Sequence, residues 1–111
     1  MRILALEHDL PAPVHPHLRQ LLRDEAACLW SLAKRDVVRD AWFTTDRHRA
    51  VLMLECASAA EARQQLGTLP LVKSGLIEFT LHELHPYDGF ERLFAPSTTP
   101  PAPKPAEPPD Y

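Results

Sequence analysis

The sequence predicts an α+β fold in which a four-stranded antiparallel sheet carries two helices on one face. Three observations lead there. Four short stretches alternate apolar and polar residues, two longer ones repeat apolar residues at helical spacing, and they arrive in the order β-α-β-β-α-β. The two middle strands are separated only by the polar turn "DRHR", which makes them an antiparallel hairpin. The remaining connections are short and rich in turn-forming residues.

Each element has a local cause. "RILALEHDL" alternates as a strand, with Ile3, Ala5 and Glu7 on one side and Leu4, Leu6 and His8 on the other. Pro11, Pro13 and Pro16 then forbid regular structure until about His17. The first helix, "HLRQLLRDEAACLWSLAKR", places Leu18, Leu21, Leu22, Ala26, Leu29 and Ala33 near one stripe and ends at Asp36. "VVRDAWFTT" is β-branched and aromatic, hence a strand, and "AVLMLECA" is a largely buried one. Ser58 with Glu61 three positions on has capping-box spacing and opens the second helix, which Gly67 and Pro70 close. "GLIEFTLHELH" is the last strand, and "PYDGFERLF" a short terminal arm. This order is the ferredoxin-like split βαβ arrangement. The folding unit is residues 1–94; residues 95–111 are so rich in proline that a disordered tail is expected.

Composition narrows the function. The chain has 111 residues and a formal net charge of −3, with its cations scattered among acids, which argues against a nucleic-acid partner. With three glycines it has no phosphate-cradling loop, and no serine or cysteine sits in a nucleophile elbow. Cys28 and Cys56 read as buried thiols in a reducing compartment. Pro16 splays His15 from His17, and no ligand spacing for a metal is present. No apolar run suits a signal peptide or a membrane span, so a cytoplasmic location is expected, without membrane partners. Helices on one face leave the other apolar face bare. A second copy is expected to cover it, giving a homodimer or higher homo-oligomer with a cavity between two sheets.

Several residues carry candidate chemistry. Taking Leu4 and Leu6 toward the helices sends Glu7 to the open face, where a partly desolvated carboxyl exchanges protons α to a carbonyl. Glu78, Thr80 and His82 share one face of the last strand, opposite Ile77, Phe79 and Leu81, and the imidazole of His82 suits acid–base exchange. Arg39 is placed to hold a substrate carboxylate, Trp42 to wall a pocket, and Glu55 to line a site at the end of a buried strand. Each has a structural reading too: a solvated strand end for Glu7, a wet edge for Glu78 and His82, and a surface ion pair for Arg39. Trp42 also suits a core or interface, and Glu55 a helix-entry charge.

The segments "EHDLP", "EAACLW", "VVRDAWF", "LECASAAEARQQLGTLPL" and "LIEFTLHELHP", in that order, resemble the muconolactone isomerase-like family of the dimeric α/β-barrel superfamily. The resemblance implies matching roles for Glu7, Arg39, Trp42, Glu55, Leu69 to Leu71, and His85 with Pro86. The Pro-rich end, the rigid "PAPVHPH" and His82 depart from the pattern. It further implies a cofactor-independent enzyme that moves a proton on a small apolar or carboxylated molecule, such as a lactone. With the alternation of the last strand added to the resemblance, the catalytic residues are expected to be Glu7 and His82, and the substrate-binding residues Arg39, Trp42, Glu55 and Glu78. The alternatives are a cofactor-free monooxygenase or cyclase of the same superfamily, and a non-catalytic ligand-binding or assembly module.

Overall fold

The computed structural model describes residues 1–94; the Pro-rich segment beyond lies outside the described residues. The order is β1 (Arg2–Asp9), α1 (Leu18–Lys34), β2 (Val38–Phe43), β3 (Ala50–Glu55), α2 (Ala59–Leu66), a single turn α3 (Pro70–Lys73) and β4 (Ile77–Leu84), followed by a 3₁₀ turn (Gly89–Leu93). The strands form one sheet in the order β2-β3-β1-β4, and every neighbouring pair is antiparallel. This is the α+β, ferredoxin-like arrangement that the element order predicts.

Register decides which side chains meet the helices. Ile3 and Ala5 of β1 pair with Leu54 and Leu52 of β3, and Ala5 with Leu81 of β4. Ile3, Ala5, Leu52 and Leu54 are all at most 1% exposed, so this is the core face. Leu32 of α1, Ala62 and Leu66 of α2, and Leu69 and Leu71 around α3 close over it. The opposite face carries Leu4, Leu6, Val51, Met53 and Trp42, none of them buried in the single chain.

Helix ends follow from local chemistry. Ser58 accepts the Glu61 N–H at 3.1 Å, and Glu61 reaches back to the Ala57 N–H at 2.6 Å, a capping box displaced by one residue at its return bond. α1 ends in a Schellman motif: Asp36 is left-handed at φ 62°, its N–H bonds Ala33 O, and the Val37 N–H bonds Leu32 O. α3 ends the same way on Gly75, at φ 73°.

Two details differ from the sequence reading. Pro70 does not close the second helix; Gly67 caps it, and Pro70 opens the separate turn α3, where its missing N–H costs nothing. The inward stripe of α1 is Leu21, Glu25, Cys28, Leu29 and Leu32, of which Leu32 is buried and the rest half-buried, so the Cys28 thiol is less enclosed than the sequence suggests. This stripe is rotated by about 60° from the one that hydrophobicity alone selects, and it brings a glutamate inward. Leu18, Leu22 and Ala26 stay exposed, as does Trp30 at 68%.

Candidate functional site

At the C-terminal end of β1 the core face turns polar. Glu7 pairs in register with Phe79 and so lies on the helix side of the sheet, not the open side. This corrects the expectation from the sequence. The leucines of β1 face away from the helices, and the parity of the strand carries Glu7 with Ile3 and Ala5. The β1–β3 ladder ends at Leu6–Val51, and Glu7 Oε2 accepts the next free donor, Ala50 N–H, at 3.1 Å. The carboxylate is thereby fixed at the root of β3. Beside it is a hollow of about 170 Å³ lined by Leu6, Glu7, His8, Thr44, Arg49, Ala50 and Val51.

Across from β1, Glu25 points in from α1. Its Oε1 accepts the Leu71 N–H at 3.0 Å, which satisfies a donor at the start of α3. Burial pushes its carboxyl up from the ordinary range; the Leu71 bond opposes this, and the negative charge of Glu7 adds to it. Of these three influences burial is the largest and the charge of Glu7 the smallest. Sequence pattern alone passes over Glu25, because it sits among arginines and an aspartate in "RDEAAC". The available signal is its spacing, four after Leu21 and three before Cys28.

A raised carboxyl has a stability consequence. The folded chain holds the Glu25 proton more tightly than the unfolded chain. Its contribution is therefore full below the ordinary glutamate value of about 4.3 and is lost as pH rises through the raised folded value. Glu25→Gln keeps an acceptor for Leu71 N–H and cannot ionise. Urea denaturation across a pH series is expected to show the variant gaining on the parent as pH rises from about 4.3 toward neutrality. Parallel stability curves would contradict the assignment.

The other candidates lie elsewhere. His82 pairs with Leu4, Thr80 with Leu6 and Glu78 with His8, so all three share the open face, as the alternation of β4 predicts. His82 and Glu7 are therefore on opposite faces of the sheet. Trp42 pairs with Val51 on edge strand β2 and is 67% exposed, so it is not part of the core of a single chain. Arg39 sits at a bulge between Val38 and Asp40, and its Nε donates to Asp36 O at 2.9 Å. Glu55 is paired with the Met1 ammonium, which together with the positive charges of Arg2 and Arg39 holds its carboxyl below the usual range. Glu55 is thus engaged by the chain itself at the end of the sheet opposite Glu7. Burial raises the Cys56 thiol, which makes it a poor nucleophile. Among the described residues no group of three His, Cys, Asp or Glu side chains is placed to hold a metal ion, and no helix is long and apolar enough to cross a membrane.

No family model matches the chain, and no curated protein sequence matches it. Solved structures do. A muconolactone isomerase superimposes with a TM-score of 0.68 at 19% identity, covering 80% of this chain and 93% of its own. The 5-chloro-2-hydroxyhydroquinone dehydrochlorinase of Burkholderia phenoliruptrix AC1100, solved in complex with 2,5-dihydroxybenzoquinone, superimposes with a TM-score of 0.55 at 20% identity, covering 77% of this chain and 94% of its own. The chain therefore has the fold of muconolactone isomerase, as its motifs lead one to expect. The two neighbours have different activities on that fold, so the activity of this chain has to be argued from its own residues.

Proposed function

We propose that the protein is a cofactor-independent enzyme that moves a proton on a small cyclic carbonyl compound, an isomerase in the manner of its structural neighbour. The observation that carries this reading is the Glu7 carboxylate, fixed by the Ala50 N–H on the wall of a hollow with apolar sides. Glu7 takes a proton from the carbon next to the ring carbonyl. The same carboxyl returns the proton to another carbon of the conjugated system. One C–H bond breaks and one forms, and no redox step is needed. The test is to incubate the protein with muconolactone in D₂O and follow deuterium incorporation by NMR. Exchange well above the uncatalysed rate is expected; exchange at the uncatalysed rate would reject a lactone isomerase.

The open face supports a second reading. Leu4, Leu6, Val51, Met53 and Trp42 form an apolar surface beside His82 and Glu78, and an isolated chain would leave it in water. A homodimer through this face would enclose a cavity, with His82 as acid–base group and with Trp42 and Glu78 on its walls. Arg39 and Glu55 would sit at its rim. In this reading the chain is a cofactor-free monooxygenase or cyclase, or, where the interface is filled and dry and His82 has no chemical role, a non-catalytic ligand-binding or assembly module. Light scattering is expected to give at least a dimer at micromolar concentration, and Trp42→Glu to shift it toward monomer. A monomeric parent protein would remove the cavity and this reading with it.

A further inference from the structure

We propose that Arg49 is the oxyanion donor of the Glu7 site: its guanidinium receives the carbonyl oxygen of an uncharged ring in the substrate and carries the charge formed there when Glu7 removes the neighbouring proton. The inference rests on the proton-transfer reading of Glu7 and adds a residue and a substrate class to it.

Four observations converge on Arg49. Its backbone is fixed at both polar groups, since its N–H donates to Thr44 Oγ1 at 3.0 Å and its carbonyl accepts the Thr44 N–H at 2.8 Å. The next residue in the chain, Ala50, holds the Glu7 carboxylate, so base and guanidinium are anchored one residue apart. Arg49 Nε is buried without a hydrogen-bond partner among the described residues, and no carboxylate among them lies within ion-pair range of Arg49. Finally, Arg49 and Glu7 line the same hollow.

A buried donor that no protein group satisfies is costly to leave unpaired, and at the wall of a hollow a small shift of the side chain presents it to an acceptor from outside. The nature of that acceptor follows from the walls. Glu7 in the same hollow repels a second full anion, while Leu6 and Val51 offer apolar surface to a ring. A carbonyl compound whose reacting ring is uncharged meets both conditions, any carboxylate it carries lying away from Glu7. Its oxygen becomes strongly negative only as the proton leaves, so the guanidinium binds the transition state more tightly than the ground state. The side-on Nε–Nη fork of arginine suits a single developing oxyanion or a planar enolate.

The probe is 4-nitrophenol, whose coloured phenolate mimics an enolate and whose neutral form mimics the ground state. It is titrated into the full chain and into Glu7→Gln, Arg49→Met and Arg49→Lys. The parent protein is expected to favour the phenolate, so that bound nitrophenol ionises at lower pH than free nitrophenol. Glu7→Gln is expected to strengthen that preference by removing the competing carboxylate. Arg49→Met is expected to weaken phenolate binding about 10- to 100-fold while neutral-phenol binding changes less than about twofold, and Arg49→Lys to recover part of the loss. Circular dichroism and the unchanged neutral-form binding separate this from misfolding. Phenolate binding unaffected by Arg49→Met, or a parent protein that binds neither form, would overturn the proposal. The two readings fail separately. If Glu7→Gln stops muconolactone exchange but Arg49→Met leaves it within threefold, Arg49 is not the donor and the role of Glu7 stands. If Arg49→Met loses phenolate while Glu7→Gln still exchanges, the binding role stands and the base lies elsewhere.

Discussion

Glu7→Gln is expected to lower the rate of deuterium incorporation into muconolactone by about 10²- to 10⁴-fold, the range a positioned general base contributes. The substitution is chosen so that little else changes. The amide oxygen still accepts the Ala50 N–H, so the end of the β1–β3 ladder stays closed and β3 keeps its start. The variant loses only the ability to accept a proton. Thermal unfolding measured in parallel is expected to stay close to that of the parent, which separates loss of chemistry from loss of structure. A rate within threefold of the parent would show that the carboxylate of Glu7 serves the ladder alone.

The largest stability effect is expected at Leu54. It is fully buried in β3, pairs with Ile3 on β1 and Val38 on β2, and packs beneath the helices. Leu54→Ala removes methyl groups where the surrounding strands have little freedom to collapse, and such substitutions cost about 2–5 kcal/mol. In a domain of this size each kcal/mol lowers Tm by about 4–8 °C, so a fall of roughly 8–40 °C is expected in a thermal melt. Val14→Ala, at a site 89% exposed, is expected to change stability by less than about 0.5 kcal/mol. Similar effects at the two sites would mean that the core is not centred on this sheet face.

Most of the fold is legible in the sequence because its signals are local. Strand alternation, the Ser58 cap and the short β2–β3 turn each depend on a few neighbouring residues. The faces of the last strand are legible for the same reason: Ile77 and Phe79 are bulkier than Glu78 and Thr80, so the two sides differ clearly. The first strand offers no such contrast. Ile3 and Ala5 compete with Leu4 and Leu6, and the more apolar pair loses. Long-range register with Leu52, Leu54 and Phe79 selects the face, and no single strand carries that information. Reversing the parity of β1 sends Glu7 to the wrong side and groups it with His82. The inward rotation of α1 has a similar cause. Its apolar sector is wider than the surface it covers, so hydrophobicity does not fix which part is buried, and Glu25 escapes notice. Arg49 reads as part of a polar turn, because the hydroxyl and backbone of Thr44 that anchor it come into place only in the folded hairpin.

On the proposed mechanism the chemistry sits at the C-terminal end of β1, around Glu7 and Arg49, and not farther along the open face around His82. The most direct measurement is an amide NMR titration of the protein with 2,5-dihydroxybenzoquinone, the compound bound to the dehydrochlorinase that shares this fold. The largest shifts are expected at Glu7, Arg49, Ala50 and Leu71, with Leu4, Thr80 and His82 nearly unmoved. The opposite pattern, with shifts concentrated at Leu4, Thr80, His82 and Trp42 and none at Ala50 or Leu71, would contradict this placement and move the site to the open face around His82.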